Sequence, residues 1–105
     1  MDIHQAQPAP ATLRVEGEMT IYRAHELKGM LLPAAASRDV LELDLSGVSD
    51  IDSAGLQLLM LAKKVSRLRQ RSMRIVAHSP AVVEAFELLD LAGYFGDPLV
   101  IPAAA

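Results

Sequence analysis

The chain predicts an α/β layer fold: a mixed, mostly parallel β-sheet with helices packed on it. Two observations carry that prediction. Short apolar runs with a period of two alternate along the chain with longer runs of helical spacing, the signature of strands connected by helices. The 105 residues, 51% hydrophobic and 22% charged, suffice for one hydrophobic core and are too few for two. The expected organisation is a flexible leader at 1–10, one domain at 11–102 and a short tail at 103–105, the ends being rich in proline and alanine without apolar periodicity.

In chain order, Thr12-Leu13-Arg14-Val15-Glu16 alternates as a strand with Leu13 and Val15 on one face. Gly17-Glu18 reads as a turn into a second short strand around Met19, a hairpin that would give the sheet an antiparallel edge. Tyr22 to Leu32 carries Ala24, Leu27 and Leu31 at helical spacing, with Pro33 near its end. Val40-Leu41-Glu42-Leu43-Asp44-Leu45 is the clearest strand, with three leucines facing one way and two carboxylates the other. A polar turn follows, then a helix over Ala54 to Arg69 and a strand over Met73 to Ala77. Ser79-Pro80 opens a third helix, since serine caps and proline suits the first turn, where its missing N–H needs no partner. That helix runs to about Leu89. Gly93 and Pro98 punctuate the remainder, and Leu99-Val100-Ile101 reads as a last short strand.

Composition narrows the function classes. With no cysteine there is no disulfide, thiolate metal site or cysteine nucleophile, which suits a reducing, cytoplasmic setting. Charges interrupt every apolar run well before the roughly 20 residues a membrane helix needs, so no membrane insertion is expected. A net charge of −3 disfavours nucleic acid as a partner, because such binding rests on neutralising phosphates. The cluster Arg67, Arg69, Arg71 and Arg74 is the counter-signal, and its plain reading is the basic end of a helix complementing the carbonyl dipole.

On a wheel of about 100° per residue, the second helix gathers Leu58, Leu61, Ala62, Val65 and Leu68 into one apolar stripe for the sheet. Leu56, Leu59 and Met60 form a second stripe in line with Ser53. Either another helix covers that stripe, or it is an exposed patch for a partner. Ser53 stands at the mouth of this helix, where its hydroxyl can cap the backbone or accept a phosphate, with Asp52 competing for the cap. A phosphate there would bring about −1.5 to −2 charges beside the apolar stripe. It would release a partner with little change of fold.

The run Leu43-Asp44-Leu45-Ser46-Gly47-Val48, followed by Ile51-Asp52-Ser53-Ala54-Gly55-Leu56, resembles the signature of STAS domains, the family of bacterial anti-sigma factor antagonists. The resemblance extends over nearly the whole domain, through Gly17-Glu18, Ser79-Pro80-Ala81-Val82 and Leu88-Leu89-Asp90-Leu91. It implies that Ser53 is the phosphoacceptor, that the unphosphorylated protein binds a histidine-kinase-like anti-sigma factor acting as serine kinase, and that a PP2C-type phosphatase restores it. The implied partner-binding residues are Thr20, Tyr22, Asp50, Asp52, Ser53, Ala54, Gly55, Leu56 and Met60, with Gly55 allowing close backbone approach. Thr20 stands where family antagonists often carry aspartate, and Ala54 where a second serine is common. The Asp-Ser-Ala-Gly-Leu form is also similar to the STAS subunit of bacterial phospholipid-transport complexes, whose partner would be an ABC-type transporter ATPase.

Catalysis is not expected. His4, His25 and His78 lack the close spacing of a metal site, so neither metal nor cofactor is anticipated. Asp50 and Asp52 have no second polar cluster to complete an acid–base site, and Ser53 sits in no Gly-x-Ser-x-Gly elbow.

Overall fold

The computed structural model describes residues 11–102, leaving the expected leader, with His4, and the tail outside the described residues. Its elements are β1 (Ala11–Met19), α1 (Ala24–Ser37), β2 (Val40–Ile51), α2 (Ser53–Leu68), β3 (Ser72–His78), α3 (Pro80–Leu88) and α4 (Ala92–Phe95). The three strands form one sheet in the order β1-β2-β3, both pairings parallel. The α/β class is as expected.

The sheet differs from expectation at its first strand. Gly17 makes no hairpin: β1 continues through it, Gly17 pairing with Val48 and Met19 with Ile51, so the described sheet has no antiparallel edge. The polar stretch Ser46–Asp50 likewise belongs to β2, making it a 12-residue strand. Register shifts between Arg14 and Glu16 and between Gly17 and Glu18 absorb the unequal residue counts of the two strands. Glycine and serine here serve bulges, which look like turns in a sequence because both need small or permissive residues. Gly17 has a φ of 80°, and the Arg23 guanidinium holds this kink by donating from Nη1 to the carbonyls of Glu16 and Glu18, both at 2.7 Å.

β2 is the central strand. Leu41, Leu43 and Leu45 are fully buried with Val15, Met73 and Ile75 from its neighbours, Leu27, Leu31 and Ala35 from α1, Leu59 and Ala62 from α2, and Val82 and Phe86 from α3. The alternate positions carry charge, with Arg14 bridging to Asp44 at 3.0 Å and Arg74 to Glu42. One face of the strand is thus core and the other an ion-pair ladder, as period-two alternation requires.

α1 continues past Pro33 to Ser37, because Ala35 is buried one turn beyond Leu31 and carries the helix on. In α2 the stripes are redistributed: Leu56, Leu58, Leu59 and Ala62 are buried, whereas Leu61 and Leu68 are exposed at 38% and 72%. The cause is that α2 packs against α1 as well as the sheet, so its buried face is wide and turned relative to the single stripe that a wheel selects. Leu56 and Leu59 are therefore core, and Met60 is half-buried against it. α2 and α3 both end in Schellman turns without glycine: Gln70 and Asp90 adopt φ of 57° and 55°, and the N–H groups of Arg71 and Leu91 return to the carbonyls of Ser66 and Phe86, both at 2.8 Å.

Ser79 caps α3 by accepting from the Val82 N–H at 3.2 Å, as expected. Leu99-Val100-Ile101 is not a regular strand, but it lies along β3, where Val100 O accepts from the His78 N–H at 2.7 Å. The His78 ring meets the Val100 N–H through Nδ1 at 3.1 Å and stands edge-on to Phe86. Burial holds this imidazole below its ordinary value of 6.5, against opposing contributions from Val100 and Asp97.

A histidine kept neutral in the fold charges more readily once unfolded, so it stabilises above the ordinary imidazole range and its contribution is lost as pH falls. Urea unfolding across about pH 5 to 7 should show stability falling toward acid, with a flatter slope in His78→Phe. Equal slopes would remove His78 as the cause.

Candidate functional site

Because β1 and β2 run parallel, their carboxyl ends open on the same side of the sheet, where crevices of open α/β sheets form. Two segments meet there: the turn Thr20–Arg23 after β1, and the junction at Asp52 between β2 and α2. Asp52 joins them. Its Oδ2 accepts from the Ile21 N–H at 3.0 Å, its Oδ1 from the Gly55 N–H at 3.1 Å, and its own N–H donates to Met19 O at 3.2 Å. The Ile21 and Gly55 N–H groups favour the ionised form, holding this carboxyl below its ordinary 3.8.

The Met19 carbonyl also explains Gly55. A Cβ at position 55 would lie 2.1 Å from that oxygen and 2.9 Å from the Ile51 side chain, so only glycine lets α2 start this close to β1. The close approach that glycine permits is thus intramolecular, and Gly55 is buried.

Ser53 is the first residue of α2 and is exposed. Asp52 is the N-cap, so the Ser53 hydroxyl is spared the capping bond that serines commonly make at this point. The neighbouring turn presents Ile21 at 63% and Tyr22 at 90% exposure. Between the start of α1 and α2 lies a groove of about 270 Å³, lined by Ile21, Ala24, His25, Ala54, Gln57 and Leu61.

The sequence-derived residues separate into two groups. Tyr22, Asp50 and Ser53 are exposed at this end of the sheet, with Asp52 and Ala54 half-buried beside them. Thr20 is buried, its hydroxyl donating to Glu18 Oε2 at 3.1 Å, and Leu56 is core, so these two shape the site from beneath. Met60 is half-buried two turns along α2. Ile21, Gln57 and Leu61 were not legible as site residues: neither an apolar side chain in a loop nor an apolar or amide side chain on a helix carries a sequence mark of where it will be exposed. Asp44, earlier in the same motif, is held by the Ser46 hydroxyl and N–H at 2.6 and 2.9 Å and by Arg14, which keep its carboxyl below 3.8 and its oxygens engaged.

His25 is exposed on α1 and His78 buried on β3, and among the described residues no three His, Asp or Glu side chains gather as a metal site would require. No described helix is long and apolar enough to cross a membrane.

Residues 4–101 match the family described as "Mlab, STAS domain". Among solved structures, the chain is similar to an anti-sigma factor antagonist from Mycobacterium paratuberculosis, at 28% identity and a TM-score of 0.73 over 85% of this chain and 74% of that one. It is also similar in fold to the anti-sigma factor antagonist SpoIIAA in its unphosphorylated form, at 17% identity and a TM-score of 0.66 over 88% of this chain and 84% of that one.

The same substitution should have opposite signs at two glycines. Gly55→Ala forces backbone apart and should lower unfolding free energy by about 1 to 3 kcal/mol. Gly29→Ala, in α1 with nothing within 4 Å of the added methyl, should raise it by up to about 1 kcal/mol. Urea denaturation of both variants checks the pair, and a stable Gly55→Ala would mean that α2 can start further from β1.

Proposed function

The chain belongs to the STAS domain family, and from that premise we propose that it is an antagonist-type phosphoswitch. Unphosphorylated, it binds a histidine-kinase-like anti-sigma factor; phosphorylation of Ser53 by that partner releases it, and a PP2C-type phosphatase resets it. The observation that carries this reading is the division of labour at the start of α2, where Asp52 caps the helix and Ser53 stands exposed beside Ile21 and Tyr22. A hydroxyl that the fold does not use can be modified without unfolding the helix.

The consequences of a phosphate follow from its neighbours. The helix N-terminus favours it by about 0.3 to 1 kcal/mol at an exposed site, while Asp50 and Asp52 oppose it. Neither effect is large enough to rearrange a domain whose core lies beneath. In an interface, by contrast, a dianion next to Ile21, Tyr22 and Ala54 would have to be desolvated against apolar surface, which is strongly unfavourable. The partner-binding surface in this reading comprises Tyr22, Asp50, Ser53 and Ala54, supported by Thr20, Asp52, Gly55, Leu56 and Met60.

A second reading is a constitutive STAS subunit docked on an ABC-type transporter ATPase. Ala54 favours it, since Asp52-Ser53-Ala54-Gly55-Leu56 resembles the form of the transport-complex subunit. The two readings share a surface and differ in their response to charge at Ser53.

Ser53→Asp should weaken partner binding at least tenfold, about 1.4 kcal/mol, with Ser53→Ala close to wild type. Capture from native lysate on the two baits, followed by mass spectrometry, separates the readings. A kinase-like ATPase retained by alanine and released by aspartate supports the switch; a transporter ATPase retained equally by both overturns it.

A further inference from the structure

At the other end of α2 from Ser53, between that helix and the amino ends of β2 and β3, lies a recess of about 430 Å³. Lys63, Ser66, Arg67, Arg71, Ser72 and Arg74 line it. A basic helix end is ordinarily explained by the carbonyls it complements. The Schellman turn meets most of that need with backbone donors: Arg69 N–H donates to the carbonyls of Val65 and Ser66, Gln70 N–H to Arg67, and Arg71 N–H to Ser66. The cations are left for something else.

Their partners are unevenly distributed. Arg71 is paired with Asp39 and Arg74 with Glu42. Lys63 and Arg67 have no acidic partner among the described residues. Lys63 Nζ donates to Met73 O at 2.6 Å, which fixes the ammonium in the wall with protons to spare, and the Arg67 guanidinium is steadied over the Tyr94 ring at 5.7 Å. Two positive charges are thus placed, anchored and uncompensated. Beside them Ser66, only 1% exposed, has a hydroxyl without a hydrogen-bond partner, and the buried Nε–H of Arg71 also lacks one. Buried polar atoms are nearly always paired, and a helical serine commonly bonds back to its own helix. Both orphans belong to side chains that line the cationic recess, and a small side-chain turn toward an acceptor held there would satisfy them.

We propose that this recess binds a phosphomonoester group. Its roughly two negative charges match Lys63 and Arg67, and its oxygens can accept from the Ser66 hydroxyl and from Arg71 Nε–H together. Charge-assisted bonds of this kind are the strong ones, and arginine suits phosphate geometry. The recess exceeds a phosphate alone and falls in the size range of small-ligand pockets, so the group is carried on a small organic body. Nothing in this assignment depends on Ser53 or its phosphorylation.

The test is a two-dimensional NMR titration of the full chain with glycerol 3-phosphate against sodium chloride of equal ionic strength. Saturable shifts at Ser66, Arg67, Arg71 and Ser72, including the Arg71 Nε–H signal, are expected only with the phosphate. Arg67→Gln, at an exposed position, and Ser66→Ala, which removes an unpaired hydroxyl, should each weaken binding at least fivefold while retaining the wild-type spectrum elsewhere. Co-sedimentation with phosphatidate vesicles, lost in Arg67→Gln, would identify a lipid headgroup as the source; saturation by glycerol 3-phosphate without co-sedimentation would identify a soluble ligand. Shifts that chloride reproduces, or affinities unchanged in both variants, would overturn the site.

Discussion

The first turn of α2 rests directly on the last carbonyl of β1. Met19 O receives the Asp52 N–H and leaves no room for a side chain at residue 55, so strand and helix are in contact at backbone distance. Much else depends on that contact. It sets where α2 begins and how near the Thr20–Arg23 turn lies to Asp52. It also brings the Ile21 N–H within reach of the same carboxylate that caps the helix. One aspartate thereby holds two loops from neighbouring strands in fixed relation, through backbone donors that survive most changes of side chain.

With Asp52 engaged on three sides, the next residue is released from structural duty. Serine before or at a helix start is usually explained by capping, and here the cap is supplied one position earlier. The Ser53 hydroxyl is exposed in company with Ile21 and Tyr22 of the neighbouring turn. The underside of this surface is core: Thr20, Gly55 and Leu56 are buried beneath the face that Ser53 and Tyr22 present.

Charge along α2 is strongly polarised. Asp50 and Asp52 precede it, while six of the ten lysines and arginines fall between positions 63 and 74. The polarity has the sign that a helix dipole favours, acidic at the amino end and basic at the carboxyl end. Its consequences differ at the two ends. At the amino end the carboxylate is consumed by backbone donors, whereas at the carboxyl end a Schellman turn consumes the carbonyls and leaves Lys63 and Arg67 available. The overall charge of −3 conceals a local basic recess. Long-range attraction for acidic macromolecules is weak on such a molecule, but short-range recognition of a small anion is not.

The α/β class, the central place of Val40–Leu45, the Ser79-Pro80 start of α3 and the span of α2 were legible in the sequence, because each rests on local periodicity or capping chemistry that neighbouring residues decide among themselves. Ser53 could be picked out for the same reason, as a serine at the mouth of an apolar helix. The path of β1 through Gly17 and the extension of β2 to Ile51 were not legible, since bulge and turn draw on the same small residues and only strand pairing tells them apart. The burial of Leu59 and the exposure of Leu61 were likewise settled by α1 lying across α2, a contact between segments some 30 residues apart. The meaning of Gly55 and the freedom of Ser53 rest on Met19 O, which no helical wheel or motif includes, because it belongs to a strand that reaches the site only through the fold.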